Sequence, residues 1–249
     1  MKQLLRRFTT RAELRRKVLH RRARLSGYRL PSFGRRLAPF SRDYGFDRGT
    51  PVDRHYIQAF LSRYATFAGY GTGDVRGVTL EVGGDEYARA YGGSIERLDV
   101  LHATADNPQA TIVGDLATGD GLRPGVYDCV ICTQTLQSIY DVRAAVATLH
   151  DILKPGGVVL VTVPGIAGAV VPDRHLWGDF WRFTRGSLRR LFEASFPAEN
   201  VEVEGFGNLL TATAYLHGLS AEELSAGQRD SHDPRYELLL AVRARRAAE

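Results

Sequence analysis

Residues 78–101, VTLEVGGDEYARAYGGSIERLDVL, restrict the possible folds more than any other stretch of the chain. Val78, Leu80 and Val82 alternate as a strand should. They lead into Gly83 and Gly84, where the missing side chains let a backbone pass close to a ligand. A second predicted strand closes on Asp99, 15 residues beyond Gly84. An acid at that point is placed to accept hydrogen bonds from both hydroxyls of a ribose. Strand, glycine turn, strand and acid together imply a nucleotide-type ligand.

The segments that follow repeat this alternation. ATIVGDL (110–116) predicts a third strand ending in Asp115, and YDCVICTQTL (127–136) a fourth. Val142, Ala145, Val146, Leu149, Ile152 and Leu153 then recur at helical spacing, with Asp141 as N-cap and Pro155-Gly156-Gly157 as the stop. GVVLVTVPG (157–165) is continuously apolar, as a strand buried on both faces must be. Beyond it the pattern predicts a helix led by Thr184, a sixth strand over 200–208, a helix over 209–225 and a last strand over 236–246. Strands alternating with helices imply an α/β chain with a parallel sheet covered on both faces, a doubly wound arrangement.

Charge divides the chain unevenly. Residues 1–42 hold 14 of the 33 Lys and Arg and one acid, whereas the remainder carries 19 bases and 27 acids. Thr10 and Glu13 have capping-box spacing, and Leu14, Val18, Leu19 and Leu25 recur among the arginines, so this arm reads as a basic amphipathic helix. It suits an anionic membrane surface, another polyanion, the acidic body of its own chain, or a solvated leader. No basic strip interleaved with aromatics follows it, which argues against nucleic acid. The absence of an 18-residue apolar run or a signal-peptide core points to a cytoplasmic protein. Cys129 and Cys132 form a CxxC but lie three apart on a predicted strand, on opposite faces, and read as buried thiols rather than a redox or metal pair. Thr50, Pro51 and Asp53 predict an N-cap, first position and capping box for a helix carrying Ile57, Phe60, Leu61 and Tyr64. Arg48, Arg54 and Tyr56 then fall near its start, either at the ligand edge or in surface ion pairs.

LEVGG, LDV, GDL, YDCVICTQTL, LKPGGVVLVTVPG and YELLLAVRA, in that order over residues 77–246, resemble a class I S-adenosylmethionine-dependent methyltransferase domain. The resemblance implies a Rossmann-like, seven-stranded, mostly parallel sheet whose last strand is antiparallel. It divides the chain into a basic helical extension and linker, 1–49, and a methyltransferase domain, 50–249. It also implies S-adenosylmethionine as cofactor, with Glu81, Gly83 and Gly84 at its methionine end and Asp99 on the ribose. Val100 would pack the adenine, Asp115 and Leu116 would meet its edge, and Thr133 and Gln134 would face the sulfonium. The chain departs from the family's acid-x-Gly-x-Gly-x-Gly pattern, since Asp85 and Tyr87 stand where glycines are expected. More narrowly, RGTPVDRHYI and WGDFWRFT are similar to segments of bacterial methyltransferases found beside or fused to glycosyltransferases in polysaccharide gene clusters.

Methyl transfer rests largely on alignment, with a base needed only when the acceptor must lose a proton. His175 and Asp179 are the candidate base and its orienting acid. Trp177, Trp181 and Arg182 are the candidate acceptor wall, since aromatic faces suit sugar CH groups and arginine suits a carboxylate or phosphate. The same residues could instead pack the loop and core. His102 follows Asp99 and could border the cofactor or sit in a surface loop. The expected activity is O-methylation of a sugar or glycan intermediate. Other readings are a natural-product or lipid methyltransferase, and a non-catalytic partner of a glycosyltransferase docked through the basic arm.

Overall fold

A computed structural model describes residues 36–65, 73–170 and 178–248. The predicted basic helix at 10–25 lies outside these residues, as do His175 and Trp177.

Seven strands form one sheet: β1 (Arg76–Val82), β2 (Ser94–His102), β3 (Ile112–Val113), β4 (Tyr127–Thr133), β5 (Leu153–Pro164), β6 (Val201–Phe206) and β7 (Leu239–Arg245). Their spatial order is β3-β2-β1-β4-β5-β7-β6. β1, β2, β3, β4 and β5 pair in parallel, while β7 runs antiparallel between β5 and β6. The antiparallel last strand agrees with the sequence expectation. The order reverses at β1 and β4, the type of crevice where α/β sheets hold ligands.

Helices cover both faces. On one lie α3 (Val142–Ile152) and α4 (Arg185–Glu193), which bury Val146, Leu149, Leu188 and Phe192 with Leu80, Val130 and Cys132. On the other lie α1 (Val52–Ser62), α2 (Glu86–Tyr91) and α5 (Leu209–Leu216), whose Ile57, Phe60, Ala88 and Ala212 pack with Cys129 and Ile131. A short α6 (Ala226–Asp230) precedes β7. The two cysteines therefore point to opposite faces, both fully buried and free. Burial pushes both thiols up, that of Cys132 to about 12.

Local chemistry moves several predicted boundaries. Asp141 and Thr184 cap their helices through Ala144 and Ser187 as expected. Thr50 does not cap α1: Pro51 takes that position without a side-chain bond, and the Thr50 carbonyl accepts from the Ala221 N–H at 2.7 Å. Asp53 builds no capping box, because its carboxylate turns to the Arg54 backbone N–H and guanidinium. The helix expected over 209–225 stops at Leu216. Gly218, at φ 66°, sits where a Cβ would come within 2.3 Å of the Ser41 carbonyl, so the chain must turn there and only glycine fits. β3 shrinks to two residues because the Asp115 N–H leaves the sheet for the Asp120 carbonyl. The last strand starts at Leu239 because the Tyr236 N–H closes a turn onto Asp233.

Two features bring the front of the molecule to the strand ends. Residues 40–50 are pinned near α5 and its exit by the Phe40 N–H on the His217 carbonyl and by the Pro51–Ser220 bridge. Residues 167–170 are tied to 179–182 by the Asp179–Arg182 pair, with the Val170 N–H on Asp179 at 2.9 Å and the Arg182 guanidinium on the Ala167 and Gly168 carbonyls.

Candidate active site

Beyond the carboxyl ends of β1, β2, β3 and β4 lies a cavity of about 630 Å³, within the usual range for small-molecule and cofactor sites. Its back wall is formed by Val82 and Gly83, Leu101 to Thr104, and Gly114 to Ala117. Gly83 has φ 94°, and a Cβ built on it meets nothing within 4 Å, so the missing side chain leaves open space on the cavity wall. The Gly83 N–H is held by the Leu101 carbonyl at 2.9 Å, and its carbonyl takes the Asn107 amide at 2.9 Å. These bonds fix the turn on both sides.

Glu81 sits behind this wall rather than on it. It is 2% exposed and accepts the N–H groups of Tyr87 and Ala88, at 3.2 and 2.7 Å, in the first turn of α2. Burial raises its carboxyl to about 7 in spite of those two bonds, with Glu86 and Asp85 adding to the rise. The chain thus uses its acid to brace a turn that has lost two glycines. Of the three residues expected at the methionine end, only Gly83 lines the cavity. Gly84 faces the Glu86 side chain.

Asp99 does not close its strand. β2 runs on to His102, because the apolar alternation continues through Leu101 and pairs with Val82. Asp99 accepts the Tyr127 hydroxyl at 3.1 Å and pairs with Arg97 at 3.1 Å, away from the cavity lining. Burial, then the neighbouring Asp99 charge, pushes the Tyr127 phenol far up. At the true strand end His102 lines the cavity, its Nδ1 3.0 Å from the Thr104 carbonyl. Val100 is buried and its N–H bonds Thr111, so it does not reach the cavity. Asp115 and Leu116 do line it, and Asp115 accepts the Ala117 N–H at 2.7 Å.

After β4, Thr133 lies outside the cavity wall and Gln134 on it. Gln134 holds φ 48°, a left-handed conformation uncommon for a side chain of that size, fixed by its N–H on the Thr162 carbonyl at 2.8 Å. Gln137, which sequence reasoning missed, is 7% exposed and also lines the cavity. Its Nε2 donates to the Gln134 carbonyl at 2.7 Å, which fixes the amide orientation. Its Oε1 and the Gln134 Nε2 are buried with no hydrogen-bond partner among the described residues. Two orphaned polar atoms on residues of one cavity wall call for a partner that the described protein atoms do not supply. The only sequence signal was their three-residue spacing after β4.

The front wall comes from elsewhere in the chain: Tyr44, Phe46, Asp53 and Arg54, with Val170, Gly178 and Tyr215. Arg48 and Tyr56 do not join Arg54 there. Arg48 pairs with Glu223, and the Tyr56 hydroxyl donates to the Arg229 carbonyl at 2.8 Å. At the rim, Tyr140 is 71% exposed and meets Phe180 and Trp181, ring centroids 5.4 and 6.0 Å away. Trp181 donates Nε1 to the Ile139 carbonyl at 3.0 Å. Asp179 has both oxygens on Arg182, which holds its carboxyl low, and also accepts from Val170. The Arg182 guanidinium is thereby taken up by Asp179 and by the Ala167, Gly168 and Trp181 carbonyls rather than left as an open anion clamp.

Comparison with known proteins decides the family. Residues 34–199 match the family described as a methyltransferase domain. This chain belongs to that family. It is an S-adenosylmethionine-dependent methyltransferase. Similar folds include the [4+2]-cyclase SpnF, at 14% identity and TM-score 0.51 over 85% of this chain and 88% of that one. An S-adenosylmethionine-dependent methyltransferase from Mesorhizobium loti is 17% identical, TM-score 0.47, over 81% of this methyltransferase and all of the other. The N-methyltransferase NodS from Bradyrhizobium japonicum, solved with S-adenosylhomocysteine, is 14% identical, TM-score 0.49, over 86% and 96%. No curated protein sequence matches the chain. The open space at Gly83, the orphaned amides and the cavity size fit the cofactor.

Proposed function

We propose that this methyltransferase methylates a hydroxyl oxygen of a sugar or glycan intermediate, in the cytoplasm, as part of polysaccharide assembly. The observation that carries the reading is the exposed aromatic cluster in which Tyr140, on the cavity wall, packs against Phe180 and Trp181. Exposed aromatic faces suit the CH faces of a sugar ring, and the polar indole edge of Trp181 is already satisfied by backbone, so its face is what a ligand meets.

Bound S-adenosylmethionine supplies a methyl group on a positively charged sulfur. The chain's own residues hold and align. In this reading Asp115 and Leu116 take the adenine edge, and His102 replaces Asp99 as the strand-end residue nearest the ribose. The uncharged amides of Gln134 and Gln137 meet the middle of the ligand without trapping a cation. Burial of the acceptor between the aromatic cluster and the front wall would exclude water and fix its approach to the methyl group.

The test is transfer of tritiated methyl from S-adenosylmethionine into glycan and small-molecule fractions. Label in a glycan fraction, with Trp181→Ala lowering kcat/KM by about tenfold at unchanged S-adenosylhomocysteine affinity, supports the reading. Label confined to lipid or amine fractions refutes it.

A further inference from the structure

We infer that Asp53 and Arg54, adjacent at the start of α1, grip the amino-acid end of S-adenosylmethionine, the carboxylate of Asp53 on its α-ammonium and the guanidinium of Arg54 on its α-carboxylate. The inference rests on the cofactor assignment and concerns how this chain replaces what its altered glycine turn has lost. Asp85 and Tyr87 stand at two glycine positions, Glu81 is turned inward onto the Tyr87 and Ala88 N–H groups, and Gly84 is off the cavity wall. The β1 side thus offers a zwitterion little beyond the backbone of Gly83.

Across the cavity, one acid and one base line the wall side by side. Asp53 is 6% exposed, and Arg54 Nη1 lies 2.9 Å from its Oδ2. That bond uses Nη1, while Nε and Nη2 are the kind of planar donor pair that a bidentate carboxylate contact requires. α1 packs against α2, the helix that follows the glycine turn, and both charges act on the Tyr87 phenol there, so the pair sits toward the turn. Tyr215, also on the cavity wall, feels both charges as well.

A stability role accounts poorly for this pair. Burial of an ion pair costs desolvation that its mutual attraction need not recover. Consistently, burial raises the Asp53 carboxyl above its ordinary range against the opposing pull of Arg54. A second cation on Asp53, such as an α-ammonium, would offset that cost.

Calorimetry on the full chain with two probes tests this: S-adenosylhomocysteine, and 5′-methylthioadenosine, which keeps the nucleoside thioether and lacks the amino acid. Arg54→Gln and Asp53→Asn should each weaken S-adenosylhomocysteine by about ten- to a hundredfold and 5′-methylthioadenosine by less than about threefold. Arg54→Lys, which keeps the charge without the fork, should fall between. Equal losses for both probes, or no loss for S-adenosylhomocysteine, would overturn the inference. So would a wild-type protein that binds the two equally well, which leaves the cofactor site standing. A wild type that binds neither removes the site itself. If melting shows that Asp53→Asn does not fold, Arg54→Gln, at a half-buried side chain, decides alone.

Discussion

The back and front of the cavity are built in different ways. The back wall is made where β1, β2 and β3 end, from strand-end residues and from the open space at Gly83. The front wall is made from side chains, Tyr44, Phe46, Asp53 and Tyr215, carried in by segments up to the far end of the domain. A wall set by strand ends can serve any member of a family, because it depends on sheet and turn geometry. A wall of side chains is where one member differs from the next.

The largest break in the back wall comes from Gly83→Val. A β-branched residue at φ 94°, with its methyl groups in the open space of the cavity, should cost about 1–3 kcal/mol of stability and more than about a hundredfold in S-adenosylhomocysteine affinity, read by melting and calorimetry. Next is Gln137→Met, which removes the orphaned acceptor at nearly constant volume. Affinity should fall about tenfold while the melting temperature holds or rises, since an unsatisfied buried oxygen has been deleted. A fall in stability with unchanged affinity would make Gln137 structural. Glu81→Gln should act on pH dependence. The native carboxyl titrates at about 7 against an ordinary 4.5, so the folded state binds the extra proton and stability declines as pH rises across that interval. The variant should lose that slope in melts taken from pH 4.5 to 7.5. The smallest effect belongs to Asp99→Asn, expected to leave S-adenosylhomocysteine affinity within about threefold because the residue bonds Tyr127 and Arg97 off the cavity. A larger loss there, with His102→Ala harmless, would return the ribose to Asp99.

The same division explains what was readable in the sequence. Strand, turn and helix patterns are local, so the parallel sheet, the buried cysteines and the caps at Asp141 and Thr184 followed from spacing, while the antiparallel last strand came from the family resemblance. Gly83, Asp115, Leu116 and Gln134, named through the resemblance, stand on the cavity wall because they lie at strand ends. Asp99 does not end β2, because the apolar Leu101 beyond it continues the strand and pairs with Val82. Thr50 misled because its backbone joins the Ser220 region, a contact 170 residues away in sequence. Asp53, Tyr44 and Tyr215 come together only through packing of α1, the 40–50 segment and α5, and no spacing encodes that.

Gln137 serves both walls at once. It lines the cavity and carries a buried, unsatisfied oxygen, while its backbone carbonyl accepts the Phe180 N–H at 2.8 Å and the Trp181 N–H at 3.2 Å. A ligand that takes up the oxygen also restrains the peptide on which the aromatic rim hangs. If the cofactor is that ligand, the two substrates are linked through a single residue, and such linkage is reciprocal: cofactor that sharpens acceptor binding must itself be held more tightly when acceptor is present.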